Sequence, residues 1–118
     1  MQVKSKVIGT IAGLGLVLAA MTASALDPAE EGRRVYLREN CYGCHGGRGG
    51  GGMGPAFRSD KPDLGDVSKV VREGADEGMP AYPNLTTLDI QNLTEYFRTL
   101  RTSAEPTFTH WWEAIPTR

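Results

Sequence analysis

Residues 41–45 read Cys-Tyr-Gly-Cys-His. Two thiols three residues apart, with an imidazole directly after the second, form the C-x-x-C-H pattern of c-type haem attachment. At the end of a helix, thiols at this spacing reach the two vinyl groups on one edge of a porphyrin and hold the ring through thioether bonds. His45 is then carried under the iron, where a ring nitrogen binds it. Other uses of the same residues fit less well. A thioredoxin-like pair sits in a βαβ setting, of which the sequence carries no sign. A zinc site wants four ligands, and Cys41, Cys44, His45 and the distant His110 are the only cysteines and histidines. A disulfide between Cys41 and Cys44 closes a very small loop and stabilises little.

Directly after the motif, the nine positions from Gly46 to Gly54 hold seven glycines. Such a run costs chain entropy and supplies nothing to pack. A segment passing close to a flat macrocycle has little room for Cβ atoms and needs positive φ, which gives the run a use; a mobile surface loop over Gly49–Gly52 is the plainer alternative. Gly47 to Gly52 also matches G-x-G-x-x-G, but no strand precedes it, so a dinucleotide site is not expected.

Three helices are expected to position these residues. Asp27 caps the first, Pro28 suits its first turn, and Glu30 and Glu31 favour its positive end. Gly32, Val35 and Tyr36 share one face, and the helix ends near Asn40, delivering Cys41. The second runs from about Asp66 to Glu73, with Val67, Val70 and Val71 as its apolar stripe and Gly74 as its stop. Thr86 caps the third, with Asp89 three residues on. Ile90, Leu93, Phe97 and Leu100 keep helical spacing with Tyr96 beside them, and this helix reaches about Arg101. No segment alternates long enough to suggest a strand, and residues 46–65 and 74–85 read as loop. The expected class is all-α, three to four short helices with long loops, wrapped around one covalently bound haem that fills the core they cannot fill themselves.

Lys4 and Lys6, the uncharged apolar run Val7–Ala20, and Ala23-Ser24-Ala25 read as a secretory signal peptide over residues 1–25. The run falls short of the roughly 20 residues a membrane span needs. Leu26 onward carries 11 basic and 14 acidic residues, a formal charge of −3. That balance does not suit nucleic acid. Export places the chain in the periplasm.

The motifs together resemble the class I c-type cytochromes over about residues 28–101. The likeness rests on Cys41–His45, Gly54-Pro55, Gly78-Met79-Pro80 and the helix around Tyr96-Phe97, which follow the family's order. It implies a cytochrome c domain over residues 26–101, followed by an aromatic C-terminal tail over 102–118. It implies that the Pro55 carbonyl accepts the Nδ1–H of His45. It implies that Gly32 and Tyr36 cross the last helix at Tyr96 and Phe97, and that Met79 is the second axial ligand opposite His45. Met53, immediately before Gly54-Pro55, is assigned to ordinary packing against the ring or loop, and His110 to the solvated tail.

Iron bound by His45 on one face and Met79 on the other has no open position. The function expected is therefore a periplasmic one-electron carrier with one haem c and no catalytic residues. It would work between an exported dehydrogenase and a terminal oxidase or other acceptor, and the resemblance points to quinoprotein alcohol dehydrogenases as one donor class. The alternatives are a haem enzyme or ligand sensor in which Met79 is absent from the iron or labile, and an electron-transfer subunit of a dehydrogenase complex. In the last, Trp111 and Trp112 would dock a partner; otherwise the tail folds back over the domain. Arg33, Arg34, Arg38, Arg48 and Arg58 form either a local basic patch or a solvated face balanced by Glu30, Glu31 and Glu39.

Overall fold

The computed structural model describes residues 25–114. The secretory signal expected over residues 1–25 lies outside the described residues, apart from Ala25.

The first helix, α1 (Pro28–Arg38), opens on a reciprocal cap. Asp27 accepts the Glu30 amide while the Glu30 carboxylate takes the Asp27 amide, which satisfies two otherwise orphaned donors. The helix stops because Asn40 turns to φ 59, a left-handed conformation asparagine tolerates better than most residues. The Cys41 amide then donates to the Tyr36 carbonyl at 3.0 Å. The chain re-enters helix at once as α2 (Tyr42–His45), a single turn too short to show a repeat in the sequence.

Next comes α3 (Leu64–Glu73), which starts two residues before the expected Asp66. Asp63 is the cap, accepting the Asp66 amide at 2.9 Å. Val67 and Val71 are buried, and Val70 is only partly so. The last helix, α4 (Thr87–Thr99), carries the expected Thr86–Asp89 capping pair. It ends short of Arg101, which takes φ 63. The described residues contain no strand, only an isolated antiparallel bridge between Ala75 and Met79.

Helices α1 and α3 both pack on α4. Gly32 makes the first contact possible. A Cβ there would sit 1.9 Å from the Asn92 carbonyl oxygen and 2.8 Å from the Tyr96 Cβ, so only glycine lets the two backbones meet. Tyr36 fills the space beside it, with its ring 5.4 Å from Tyr96 and 6.0 Å from Phe97. Ile90, Leu93 and Leu100 complete the buried face of α4. Each such side chain contributes about 1.5–3 kcal/mol on burial.

Past α4 the chain turns back over the helices. Pro106 and Phe108 are fully buried, and Phe108 lies under the Arg34 guanidinium at 5.3 Å. Arg34 also donates to the carbonyls of Trp111 and Glu113. Between these residues and α4, Glu105 is buried as a carboxylate, bonded to Arg48 and Arg58 at 2.7 and 2.8 Å. Trp111 and Trp112 remain exposed.

Two outcomes follow. Gly32→Ala is expected to cost more than about 3 kcal/mol, read as a lower midpoint in denaturant, because the obstructing atoms are backbone. For Glu105, burial alone would raise the pKa; hydrogen bonds from Arg48, Arg58 and the Arg101 amide outweigh it and bring the value from 4.5 down to about 2. The depressed carboxylate therefore contributes stability at neutral pH that is lost as pH falls from about 4.5 toward about 2, on the order of 3 kcal/mol. Urea titrations across that range should show the loss in the native protein and a flatter profile in Glu105→Gln.

Candidate functional site

The end of α1 and the single turn of α2 present the two thiols. Cys41 is half-buried against the core and Cys44 is exposed, and neither is in a disulfide. Burial first, then the charge of Glu39, pushes the Cys41 thiol up to about 11. That is opposite to the lowered pKa of a disulfide-exchange cysteine. Burial also raises the Tyr82 phenol, with further contributions from Cys41, Cys44 and Glu39, so Tyr82 lies at the same edge.

His45 is 6% exposed. Its Nδ1 lies 2.9 Å from the Pro55 carbonyl oxygen. A carbonyl only accepts, so Nδ1 carries the proton and Nε2 keeps the lone pair that can bind a metal. The Phe57 ring stacks on the imidazole at 4.4 Å between centroids. Phe57 in turn meets Phe97 at 4.8 Å, which ties the imidazole to the α1–α4 crossing through aromatic contacts.

The glycine run wraps this motif. The Gly51 amide donates to the His45 carbonyl at 2.7 Å and the Gly54 amide to the Cys44 carbonyl at 3.0 Å. Tyr36 donates its hydroxyl to the Gly46 carbonyl at 2.5 Å. A Cβ on Gly54 would fall 2.6 Å from Cε1 and 2.7 Å from Nδ1 of His45. The chain is glycine there because the imidazole occupies the space. Gly49 is buried, with φ 66, so the plain surface-loop reading fails at that position.

Met79 is half-buried and packs against the core. Its carbonyl accepts the Ala75 amide at 3.0 Å, and Gly74 (φ 77) passes so close that a Cβ would lie 2.7 Å from that oxygen. Met53 is 88% exposed, so it does not pack against the loop. His110 is half-exposed, paired with Glu113 at 2.9 Å and stacked on Trp112 at 4.4 Å.

The five arginines do not form one patch. Arg33 is buried, its guanidinium 5.6 Å from the Tyr36 ring and 5.4 Å from that of Tyr96. Arg34 serves the tail carbonyls and pairs with Glu31 at 3.8 Å, Arg48 and Arg58 serve Glu105, and Arg38 makes a surface pair with Glu39 at 2.8 Å. Residues 46–65 and the tail draw charge inward that composition alone would leave in solvent. Phe57, Tyr82 and Glu105 are the residues that motif reading missed. An aromatic two positions after Pro55, and an acid before a proline in an aromatic tail, are the faint signals for the first and last.

The residues fit a covalently held haem. Two free thiols stand at C-x-x-C-H spacing, the imidazole offers its Nε2 lone pair, and Gly54 leaves room for the imidazole where a Cβ would not. Residues 27–97 match the family described as cytochrome c oxidase, cbb3-type, subunit III. The chain belongs to this cytochrome c family. Membership implies a covalently bound haem c, and Cys41 and Cys44 carry the spacing to hold it. The fold is similar to that of a solved cytochrome CL from the marine methylotroph Methylophaga aminisulfidivorans MPT, with a TM-score of 0.51 and 22% identity. The likeness covers 67% of this chain and 57% of that one, so the chain spans little over half the length of that cytochrome. No curated protein matches the chain. No helix among the described residues is long and apolar enough to cross a membrane.

Gly54→Ala is expected to displace the imidazole and lower stability by about 2–3 kcal/mol, seen as a lower thermal midpoint and shifted His45 ring resonances. Gly47→Ala is the control. A Cβ at Gly47 meets nothing within 4 Å, and that variant should match the native protein in both measurements.

Proposed function

We propose that this cytochrome is a single-haem periplasmic electron carrier whose iron is bound by His45 on one face and Met79 on the other. The observation that carries the reading is the buried imidazole, whose Nδ1 is occupied by the Pro55 carbonyl and whose Nε2 is thereby directed to a metal. The partly buried Met79, on a loop held by its bridge to Ala75, supports the second half.

When bound, haem supplies a one-electron change at iron. Cys41 and Cys44 fix the ring's edge, so the carrier keeps its cofactor through repeated turnover. Pro55 and Phe57 hold the imidazole at one angle, which limits reorganisation between oxidation states. A thioether from Met79 would close the face opposite His45, exclude external ligands and favour the reduced iron. The buried Tyr36 and Phe97 and the partly buried Phe57 lower the local dielectric in the same direction. The partners are other redox proteins, with an exported dehydrogenase as donor and a terminal oxidase or similar acceptor.

Visible and near-infrared spectra in both oxidation states test this. The purified protein should show one thioether-linked haem per chain and, when ferric, a sulfur-to-iron charge-transfer band. Met79→Ala should abolish that band, admit carbon monoxide to the ferrous form, and lower the potential on the order of 100 mV out of the ~0.8 V that axial ligands span. Met53→Ala should change none of these. A colourless product removes the haem assignment, and a band that survives Met79→Ala removes the methionine assignment.

A further inference from the structure

Three residues that hold the imidazole from outside its own motif lie between Arg48 and Arg58. Pro55 accepts from Nδ1, Phe57 stacks on the ring, and Gly54 presses against its face. This segment contains five glycines and no helix. Unrestrained, such a chain has much conformational freedom to lose, and the imidazole would move with it.

One side chain closes the segment at both ends. Glu105 Oε1 accepts from Arg48 Nε at 2.7 Å and from Arg58 Nη1 at 2.8 Å. Arg58 Nη1 also reaches the Arg48 carbonyl at 3.0 Å, and the Phe57 amide bonds the Gly49 carbonyl at 2.8 Å just inside the closure. The Glu105 side chain is only 2% exposed. Hydrogen bonds to a buried charge are stronger than neutral ones and fixed in direction. Glu105 is itself aimed by the turn after α4. Arg101 adopts a left-handed φ of 63 and donates its amide to Glu105 Oε2 at 2.8 Å.

We propose that Glu105 is a positioning residue for the iron-binding imidazole, acting by joining Arg48 to Arg58 and so fixing Gly54, Pro55 and Phe57 against His45. The proposal rests on His45 being the ligand. It gives the C-terminal segment a role in the geometry of the haem site, 60 residues away in sequence, beyond covering the core.

The test uses the purified, haem-loaded protein with Glu105→Ala, Glu105→Gln and, as a control for loosening the tail, Phe108→Ala. Amide hydrogen exchange at Gly51, Gly54 and Phe57 is measured, together with the hyperfine-shifted His45 and haem-methyl proton resonances of the ferric form. Glu105→Ala should speed exchange at those amides by about tenfold or more and move the resonances, with Glu105→Gln intermediate. Phe108→Ala should lower the unfolding midpoint while leaving both near their native values. Unchanged exchange and resonances in Glu105→Ala would overturn the proposal, as would equal changes in Phe108→Ala. Should Glu105→Ala fail to fold, native-like values in Glu105→Gln overturn it and intermediate ones uphold it. Absence of hyperfine shifts in the native protein would instead defeat the haem-ligand reading, which separates the two failures.

Discussion

The geometry of the whole site depends on one imidazole that cannot turn. His45 is held by a hydrogen bond at one nitrogen, by an aromatic ring on its face, and by a glycine backbone too close to admit a methyl group. None of these restraints belongs to the five-residue motif that carries His45. Each comes from the loop that follows, and that loop has almost no side chains with which to pack. The molecule solves this by treating the loop as backbone. Its amides and carbonyls bond back to Cys44, His45 and Tyr36, so the polar groups glycine leaves exposed are the ones that fix it.

The helices serve the same end. The contact between α1 and α4 requires glycine at position 32, and the tyrosine one turn later fills the gap and reaches the loop with its hydroxyl. The helix pair, the aromatic contacts from Phe97 to Phe57 and the imidazole thus form a continuous packed path. A change at the crossing is felt at the site because a close-packed interior transmits displacement rather than absorbing it.

Much of this was legible in the sequence, for reasons that differ by residue. Cys41, Cys44 and His45 are readable because their chemistry depends on local spacing, and the caps at Asp27 and Thr86 because capping is decided within four residues. The start of α3 was misread because the valine stripe begins inside the helix, while Asp63 sets its true edge. Glu105 was invisible because its partners lie 57 and 47 residues away, and nothing in a charge count tells a buried carboxylate from a solvated one. The arginines divide for the same reason: Arg34 and Arg38 make pairs with Glu31 and Glu39 that a charge count suggests, while Arg33, Arg48 and Arg58 reach Tyr36, Tyr96 and Glu105. Met53 and Met79 are told apart in the sequence by their neighbours, and in the fold only Met79 packs against the core.

The tail has a further consequence. Both tryptophans of the chain fall within it, adjacent and exposed, their rings perpendicular and 5.8 Å apart. Emission excited at the red edge of indole absorption, where tyrosine does not absorb, is therefore a private channel to this one segment, free of background from the tyrosines of the helices. A bound porphyrin absorbs where indoles emit, so the brightness of that channel gauges how far the segment sits from the pigment, with no label attached.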